Sequence, residues 1–114
     1  MSESNLDRSL DRTLAAIADP YRRRVVDLLR ERPRRAGELA EVTQLSFPAM
    51  SRHLKTMRES GLVEEERDKL DSRVRIYRLR REPMEDLKAW LAQTEAVWAK
   101  QLLALKAHVQ KTRK

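Results

Sequence analysis

The sequence predicts a mainly α-helical fold with one small β-hairpin, and three observations support this fold class. Apolar residues recur at helical spacing along most of the 114-residue chain, interrupted by polar, proline or glycine breaks. Two β-prone runs, 62–67 and 73–79, flank the polar segment 68–72, a pattern typical of a hairpin. A final segment, 84–111, keeps helical spacing without a break. At this length we expect one domain with a modest core.

A first helix is predicted from Leu6 to Ala18 by apolar residues at helical spacing. Asp19 and Pro20 end it and start the second helix, Asp19 as the N-cap and Pro20 at the first helical position. The second helix extends from about Tyr21 to Glu31, and its arginine run, 22–24, is interpreted as a solvated face rather than a binding surface. Its positions expected to be buried are Val25, Val26, Leu28 and Leu29.

The next segment has the spacing of a helix-turn-helix. A third helix is predicted over 35–43, and a fourth helix begins near Ser46 after a short turn. The Ser46 hydroxyl can cap the first turn, Pro48 is tolerated only within that turn, and Gly61 ends the helix. Its apolar positions are Met50, Leu54 and Met57, and the polar and basic positions on or beside the opposite face are Ser51, Arg52, Lys55 and Arg58. Such a basic outer face suits an anionic partner.

In the hairpin that follows, the alternation of apolar and polar residues is imperfect. Val74 and Ile76 share one face, whereas Tyr77 and Leu79 share the other. We expect either a β-bulge or partial cover of both faces, and the pattern leaves both open. A hairpin that directly follows the second helix of a helix-turn-helix is the element order of a winged helix.

The charge of the chain is concentrated in two stretches. Charged residues make up 38% of the sequence, with a formal net charge of +7, which indicates an anionic partner such as nucleic acid or a membrane surface. Segment 44–58 carries three basic residues and no acidic one, and segment 67–81 carries seven basic and two acidic residues. The rest of the chain is therefore close to neutral.

Several function classes are disfavoured by what the sequence lacks. It has no cysteine, which excludes disulfides and thiolate metal sites and is compatible with a reducing cytoplasm. No secretion signal or run of about 18 apolar residues is evident, so we expect a cytoplasmic location. No Ser–His–Asp set or glycine-rich phosphate loop is evident either, which makes an enzyme the least expected class. An aromatic content of 4% disfavours a single-stranded RNA-binding surface.

The last predicted helix, about 84–111, has more apolar surface than a small domain can cover. Its apolar stripe follows spacings of three, four and seven residues and includes Trp90 and Trp98. A face of this length indicates a packed partner, most economically a second copy related by two-fold symmetry. The alternative is that the helix folds back as intrachain core. If two copies meet there, we favour a solid interface over one that holds a small apolar ligand.

An ordered set of segments resembles the sequence pattern of ArsR-type winged-helix repressors. Each segment alone is a weak match, whereas the set, over about residues 14–80, is specific. The segments are ADPYRR with VVDLL (18–29), GELA (37–40), LSFPAMSRHLK (45–55), RESGLV (58–63) and RIYRL (75–79).

This resemblance implies a winged helix-turn-helix with a long C-terminal dimerisation helix, in a single DNA-binding domain over residues 1–114. Its implied parts are a helix-turn-helix at 35–60, a wing at 62–80 and a dimerisation helix at 84–111. It also implies a homodimeric, sequence-specific transcriptional repressor. Its two recognition helices would meet a pseudo-palindromic operator, with half-sites about 10 bp apart or a multiple of that spacing.

Three groups of residues carry these expectations. The recognition-helix group, expected to contact bases, is Ser46, Phe47, Pro48, Ser51, Arg52, His53 and Lys55. The backbone and wing group, expected to contact phosphates, is Gln44, Arg58, Arg67, Lys69, Arg73 and Arg75. The dimerisation group is Leu10, Leu14, Leu87, Trp90, Leu91, Thr94, Val97, Trp98, Leu102 and Leu105. Arg52 is the expected contact for guanine, and replacing Arg73 or Arg75 is expected to weaken binding to every sequence.

The chain departs from the family pattern at two points. Phe47 stands where relatives often have glutamine, and it cannot make the paired hydrogen bonds to adenine that glutamine makes. It either contacts a thymine methyl group or packs inward, and we favour partial packing. Metal-sensing relatives use cysteines or clustered histidine and carboxylate ligands, whereas His53 and His108 are isolated here, so we expect no metal or other cofactor and assign no effector. The competing function is a winged-helix protein-interaction module that docks through its last helix.

Overall fold

The computed structural model describes residues 5–112 and is mostly helical, as the sequence predicts. Its elements, in chain order, are α1 (Asn5–Ile17), α2 (Pro20–Glu31), β1 (Arg34–Arg35), α3 (Ala36–Thr43), α4 (Phe47–Glu59), β2 (Val63–Arg67), β3 (Arg75–Leu79) and α5 (Arg81–Thr112). The predicted order of helices and hairpin is confirmed. The bounds differ from the predicted ones by a few residues at most, and one strand, β1, was not predicted.

The strands form one antiparallel sheet in the order β1-β3-β2. All five residues of β2 pair with all five of β3 in an unbroken register, so this pairing contains no bulge. Tyr77 is buried and Ile76, on the opposite face of β3, is half-buried, which means that both faces are partly covered. The two residues of β1 pair with Tyr77 and Ile76 on the other side of β3. A strand of two residues is too short to show alternation in the sequence.

The core lies between α2, α3, α4 and the base of the hairpin. Met50, Leu54 and Met57 on the inner face of α4 are fully buried, as their spacing predicts. The four predicted core positions of α2 are also buried, and Leu39 and Leu62 complete the centre of the cluster. Each fully buried side chain of this size contributes about 1.5–3 kcal/mol through removal of apolar surface from water. This core holds the basic face of α4 outward.

Helix ends are formed by the residues that the sequence predicts. Asp19 accepts hydrogen bonds from the backbone N–H groups of Tyr21 and Arg22 at the start of α2. Ser46 Oγ accepts from the N–H of Ala49 at 3.2 Å and caps α4 in the same way. Gly61 follows the C-cap of α4 with φ of 78°, a left-handed conformation that favours glycine.

The arginine run at the start of α2 is solvated in part, since Arg23 and Arg24 are exposed, but it also makes contacts that the sequence does not predict. Arg22 Nε donates to the carbonyl oxygen of Ala16 at 2.6 Å, and Arg23 donates to those of Ile17 and Ala18 at 2.9 and 3.0 Å. Ala16 and Ile17 end α1 and Ala18 follows it directly, so none of these three carbonyls has a partner within that helix. Two of the three arginines therefore cap α1 and fix its angle to α2.

Arg34 is a buried cation that the sequence analysis did not single out. Its side chain is 9% exposed, and its Nε donates to the Leu28 carbonyl oxygen at 3.1 Å. Its two terminal nitrogens pair with Glu31 at 2.7 Å and with Glu38 at 2.6 Å. The hydrogen bond from Arg34 is the main cause of a lowered pKa at Glu38. Arg34 thus joins the end of α2 to β1 and α3.

The long helix α5 packs against α1 near its beginning, and most of its length is exposed. Pro83 lies in its first turn, where a missing N–H costs no hydrogen bond, and is buried. Beyond the contact with α1 the apolar side chains face solvent; Trp90 is 42% exposed and Trp98 60% exposed. Within residues 5–112 no helix combines the length and the apolar character needed to cross a membrane.

Candidate nucleic-acid interface

The outer face of α4 and the β2–β3 hairpin line one open concave surface, which we call the basic groove. Its charged and polar lining residues are Ser51, Arg52, Lys55, Arg58, Glu65, Arg75 and Tyr77. Four of these side chains are cationic and one is anionic. The surface therefore attracts a polyanion, and its longest wall is a helix whose side chains point away from the core.

The central part of α4 presents the most accessible cations of the basic groove. Ser51, Arg52 and Lys55 are all exposed. Among the residues that the structure describes, Arg52 makes no ion pair, and Lys55 is held only loosely, 4.0 Å from Glu59. Both charges are therefore available to a ligand.

The first turn of α4 forms one end of the basic groove. Phe47 and Pro48 line it, and the Phe47 side chain is 57% exposed. Phe47 is therefore largely open to solvent at the groove and only partly packed. Ser46 lies next to it as the helix cap. Gln44 is exposed in the preceding turn and is the C-cap of α3, with φ of 61° in the left-handed region.

His53 does not line the basic groove, although the sequence analysis placed it among the base-contacting residues. It is half-buried on the side of α4 that faces α2. The Arg22 guanidinium lies 3.3 Å from His53 Nδ1, and the Tyr21 ring packs with its centroid 5.9 Å from the His53 ring. This placement favours a role in holding α4 against α2 over direct contact with bases.

Glu65 is the anionic lining residue of the basic groove, and sequence reasoning missed it. Its carboxylate accepts hydrogen bonds from Arg58, from Arg75 and from the Tyr77 hydroxyl, the last at 3.1 Å. Burial alone would raise the pKa of the Glu65 carboxyl, but these donors and charges outweigh burial and lower that pKa below its usual value. The pKa of Tyr77 is raised, by its burial and by the nearby carboxylate. Glu65 is therefore ionised at neutral pH.

Ion pairs reduce the charge of the wing below what segment 67–81 indicates. Three acidic residues, 64–66, directly precede that segment in β2 and lie opposite residues 76–78 of β3. The pairs within the wing are Arg73–Asp71, Arg75–Glu65 and Arg78–Glu66. Arg67 and Lys69, in contrast, are exposed and form no ion pair within the described part of the chain. Of the predicted phosphate contacts in the wing, these two carry the least compensated charge.

The predicted dimerisation residues are divided between a covered and an uncovered part. Leu10, Leu14 and Leu87 are half-buried near the contact of α1 with α5, and Thr94 is half-buried with its hydroxyl bonded to the Trp90 carbonyl oxygen at 3.0 Å. The uncovered residues are Trp90, Leu91, Val97, Trp98, Leu102 and Leu105, all at least 42% exposed. The alternative that α5 folds back as intrachain core does not hold for this second part.

No group of three or more histidine, aspartate and glutamate side chains comes together as a potential metal site among the side chains that the structure describes, residues 8–112. His53 lies on α4 and His108 on α5. The structure thus brings neither histidine into a ligand cluster within the part that it describes.

Comparisons with known proteins agree with this architecture. Residues 19–65, which span α2 to β2, match the model of a family described as bacterial regulatory protein, arsR family. The HTH-type transcriptional regulator Rv2034 of Mycobacterium tuberculosis is 45% identical over 56 residues, which cover 49% of this chain and 52% of the relative. The transcriptional repressor SdpR of Bacillus subtilis is 33% identical over 58 residues, covering 51% and 64%. The match thus spans between half and two thirds of these curated relatives.

Similarity to solved structures extends over more of the chain. The crystal structure of an ArsR family transcriptional regulator superimposes with a TM-score of 0.70 at 30% identity. That match covers 80% of this chain and 97% of the other. The relatives are regulators rather than enzymes, in agreement with the predicted class. The chain belongs to the ArsR family of bacterial regulatory proteins.

Proposed function

We propose that this protein is a DNA-binding transcriptional repressor that acts as a homodimer on a pseudo-palindromic operator. The observation that carries the proposal is the basic groove, in which Arg52 and Lys55 project from a helix held by a rigid core. The major groove of B-DNA, about 12 Å wide, admits a helix of this kind. In this arrangement α4 contacts bases, and Arg67 and Lys69 in the wing contact phosphates.

The homodimer is supported by the uncovered apolar stripe of α5. Its residues lie along one side of the helix from Trp90 to Leu105 and have no cover within the described chain. A two-fold axis through this stripe would bury it against itself and give the dimer two copies of α4. Two helices so arranged match two half-sites of an operator.

The proposed repressor senses no metal and uses no other cofactor, because the sequence has no cysteine and its two histidines lie on separate helices. Bacterial DNA lies in the cytoplasm, so we propose a cytoplasmic location. A second candidate, favoured by the same stripe on α5, is a protein-interaction module that docks through this helix. In that case the partner of α5 is a different protein, and docking to it does not require the basic groove.

A gel-shift experiment separates these two functions. We expect the protein to form a discrete complex with the DNA upstream of its own reading frame, in the presence of excess random-sequence competitor at moderate salt. The affinity should fall steeply with salt, because each neutralised phosphate releases counterions. If no complex with the upstream DNA survives the competitor, the result favours the interaction module instead.

Arg52 and Lys69 should differ in what their loss does to binding. Arg52→Ala is expected to relax the preference at one operator position, with a loss of about 1–3 kcal/mol for the preferred base. Lys69→Ala is expected to weaken binding to every sequence and to reduce the salt slope by about 0.9 for one lost phosphate contact. Titrations of operator and random duplexes over a salt series measure both. Identical effects of the two changes on both duplexes would contradict this division of roles.

A further inference from the structure

Glu65 is an acidic side chain in a groove whose other charged lining residues are cations. Its side chain is only 10% exposed, and it lies in the middle of β2, on the face that meets α4. A carboxylate in this place repels the phosphates of a bound duplex, and burial disfavours its charged form. Its ionised state is therefore retained by specific contacts.

Three side chains from two parts of the fold converge on this carboxylate. One of its oxygens accepts from Arg75 of β3, and the other accepts from Arg58, in the last turn of α4, and from the Tyr77 hydroxyl. The side chains of Arg58 and Arg75 are 49% and 48% exposed, so part of each guanidinium is still open to a ligand. Glu65 thus links α4 to the hairpin and fixes the direction of two cations of the basic groove.

We propose that Glu65 is a positioning residue that restrains Arg58 and Arg75 and thereby limits the affinity of the basic groove for DNA of arbitrary sequence. The inference rests on the proposed DNA-binding function and deepens it. Restrained arginines meet phosphates only where a correctly docked duplex presents them, whereas unrestrained arginines turn towards any nearby phosphate. Together, Arg58, Arg75 and Glu65 carry one net positive charge, whereas the two arginines alone would carry two. Glu65 therefore supplies discrimination between operator and random DNA rather than affinity.

The variant Glu65→Gln tests this role, because glutamine keeps the size of the side chain and one acceptor oxygen but removes the charge. With a random-sequence duplex we expect a steeper salt dependence, by about 0.9 in log–log slope for each arginine that gains a phosphate contact. We also expect the affinity for that duplex to rise about tenfold at low salt, while the affinity for the operator changes less than about threefold. The ratio of the operator affinity to the random-duplex affinity should therefore fall.

Glu66→Gln is the matched control. It removes the same charge from the next residue of β2, whose side chain points to the opposite face and pairs with Arg78 at 2.7 Å. We expect this variant to keep the wild-type affinity ratio. Glu65→Asp keeps the charge on a shorter side chain, and we expect a ratio between those of wild type and Glu65→Gln. Circular dichroism checks that each variant is folded.

The operator duplex for these titrations is enriched from a random pool with the wild-type protein. If the wild-type protein enriches no sequence, the proposed function fails and this inference fails with it. If the wild-type protein binds its operator but both Glu65 variants keep the affinity ratio and salt slope of Glu66→Gln, only the inference is overturned. Weaker binding of the Glu65 variants to both duplexes in proportion would mean a purely structural role and would also overturn it.

Discussion

Replacing both Trp98 and Leu102 by glutamate is expected to leave the protein monomeric. The affinity for the operator should fall at least about 100-fold. Both side chains lie in the uncovered stripe of α5 and are 60% and 54% exposed in the single chain. In the proposed dimer they are buried, and a buried unpaired carboxylate costs several kcal/mol. A monomer contacts one half-site only, so the second set of base and phosphate contacts is lost. Light scattering gives the mass, and gel shifts give the affinity.

The control for this variant introduces the same two carboxylates on the opposite side of the same helix. Ala92 and Ala96 are both exposed, have the same spacing as Trp98 and Leu102, and lie away from the stripe at 100° per residue. The variant with Ala92→Glu and Ala96→Glu should remain dimeric and keep most of its operator affinity. If the Trp98 and Leu102 variant has the mass of a dimer, or the control is monomeric as well, α5 does not dimerise through this stripe.

Leu54→Ala is expected to lower the free energy of unfolding by about 3 kcal/mol, within the range measured for leucine deletions in tightly packed cores. The Leu54 side chain is fully buried on the inner face of α4 and belongs to the main apolar cluster. A loss of this size is a large part of the total stability of a domain, about 5–15 kcal/mol. Urea unfolding followed by circular dichroism measures it.

Thr56→Ala is the control for Leu54→Ala, since Thr56 is exposed on the same helix and outside the lining of the basic groove. We expect the free energy of unfolding of Thr56→Ala to stay within about 0.5 kcal/mol of the wild-type value. A change below about 1 kcal/mol for Leu54→Ala would mean that the core can close around the missing atoms or that α4 is not anchored there.

The sequence predicts α4 well because its structure depends on local signals. Ser46 and Gly61 mark its ends, and Met50, Leu54 and Met57 repeat at the helical period, so both the bounds and the buried face follow from neighbouring residues. The strand β1 could not be predicted in this way. Its two residues carry no pattern of their own, and they become a strand only because β3 lies beside them.

The candidate site was predicted in its composition but not in its internal pairing. Arg52, Lys55, Arg58 and Arg75 all line the basic groove, as their positions in the recognition helix and wing suggested. Glu65 was not singled out, because a count of charge along the chain does not show which carboxylate lies between which arginines. The packing of His53 against Tyr21 had no local signal either, since it joins residues far apart in the sequence.

The strand β1 has a consequence for how the wing can vary between relatives. Because β1 and β2 hydrogen-bond to β3 from its two sides, the base of the hairpin is held independently of the tip at 69–73. Asp68, just before this tip, pairs with Arg35 of β1 at 3.1 Å and donates its N–H to the Val74 carbonyl oxygen. We therefore expect that residues can be inserted or removed within 69–73 without shifting Glu65, Arg75 or α4. The fold thus separates a frame held by the sheet from a tip whose length and chemistry can change without disturbing that frame.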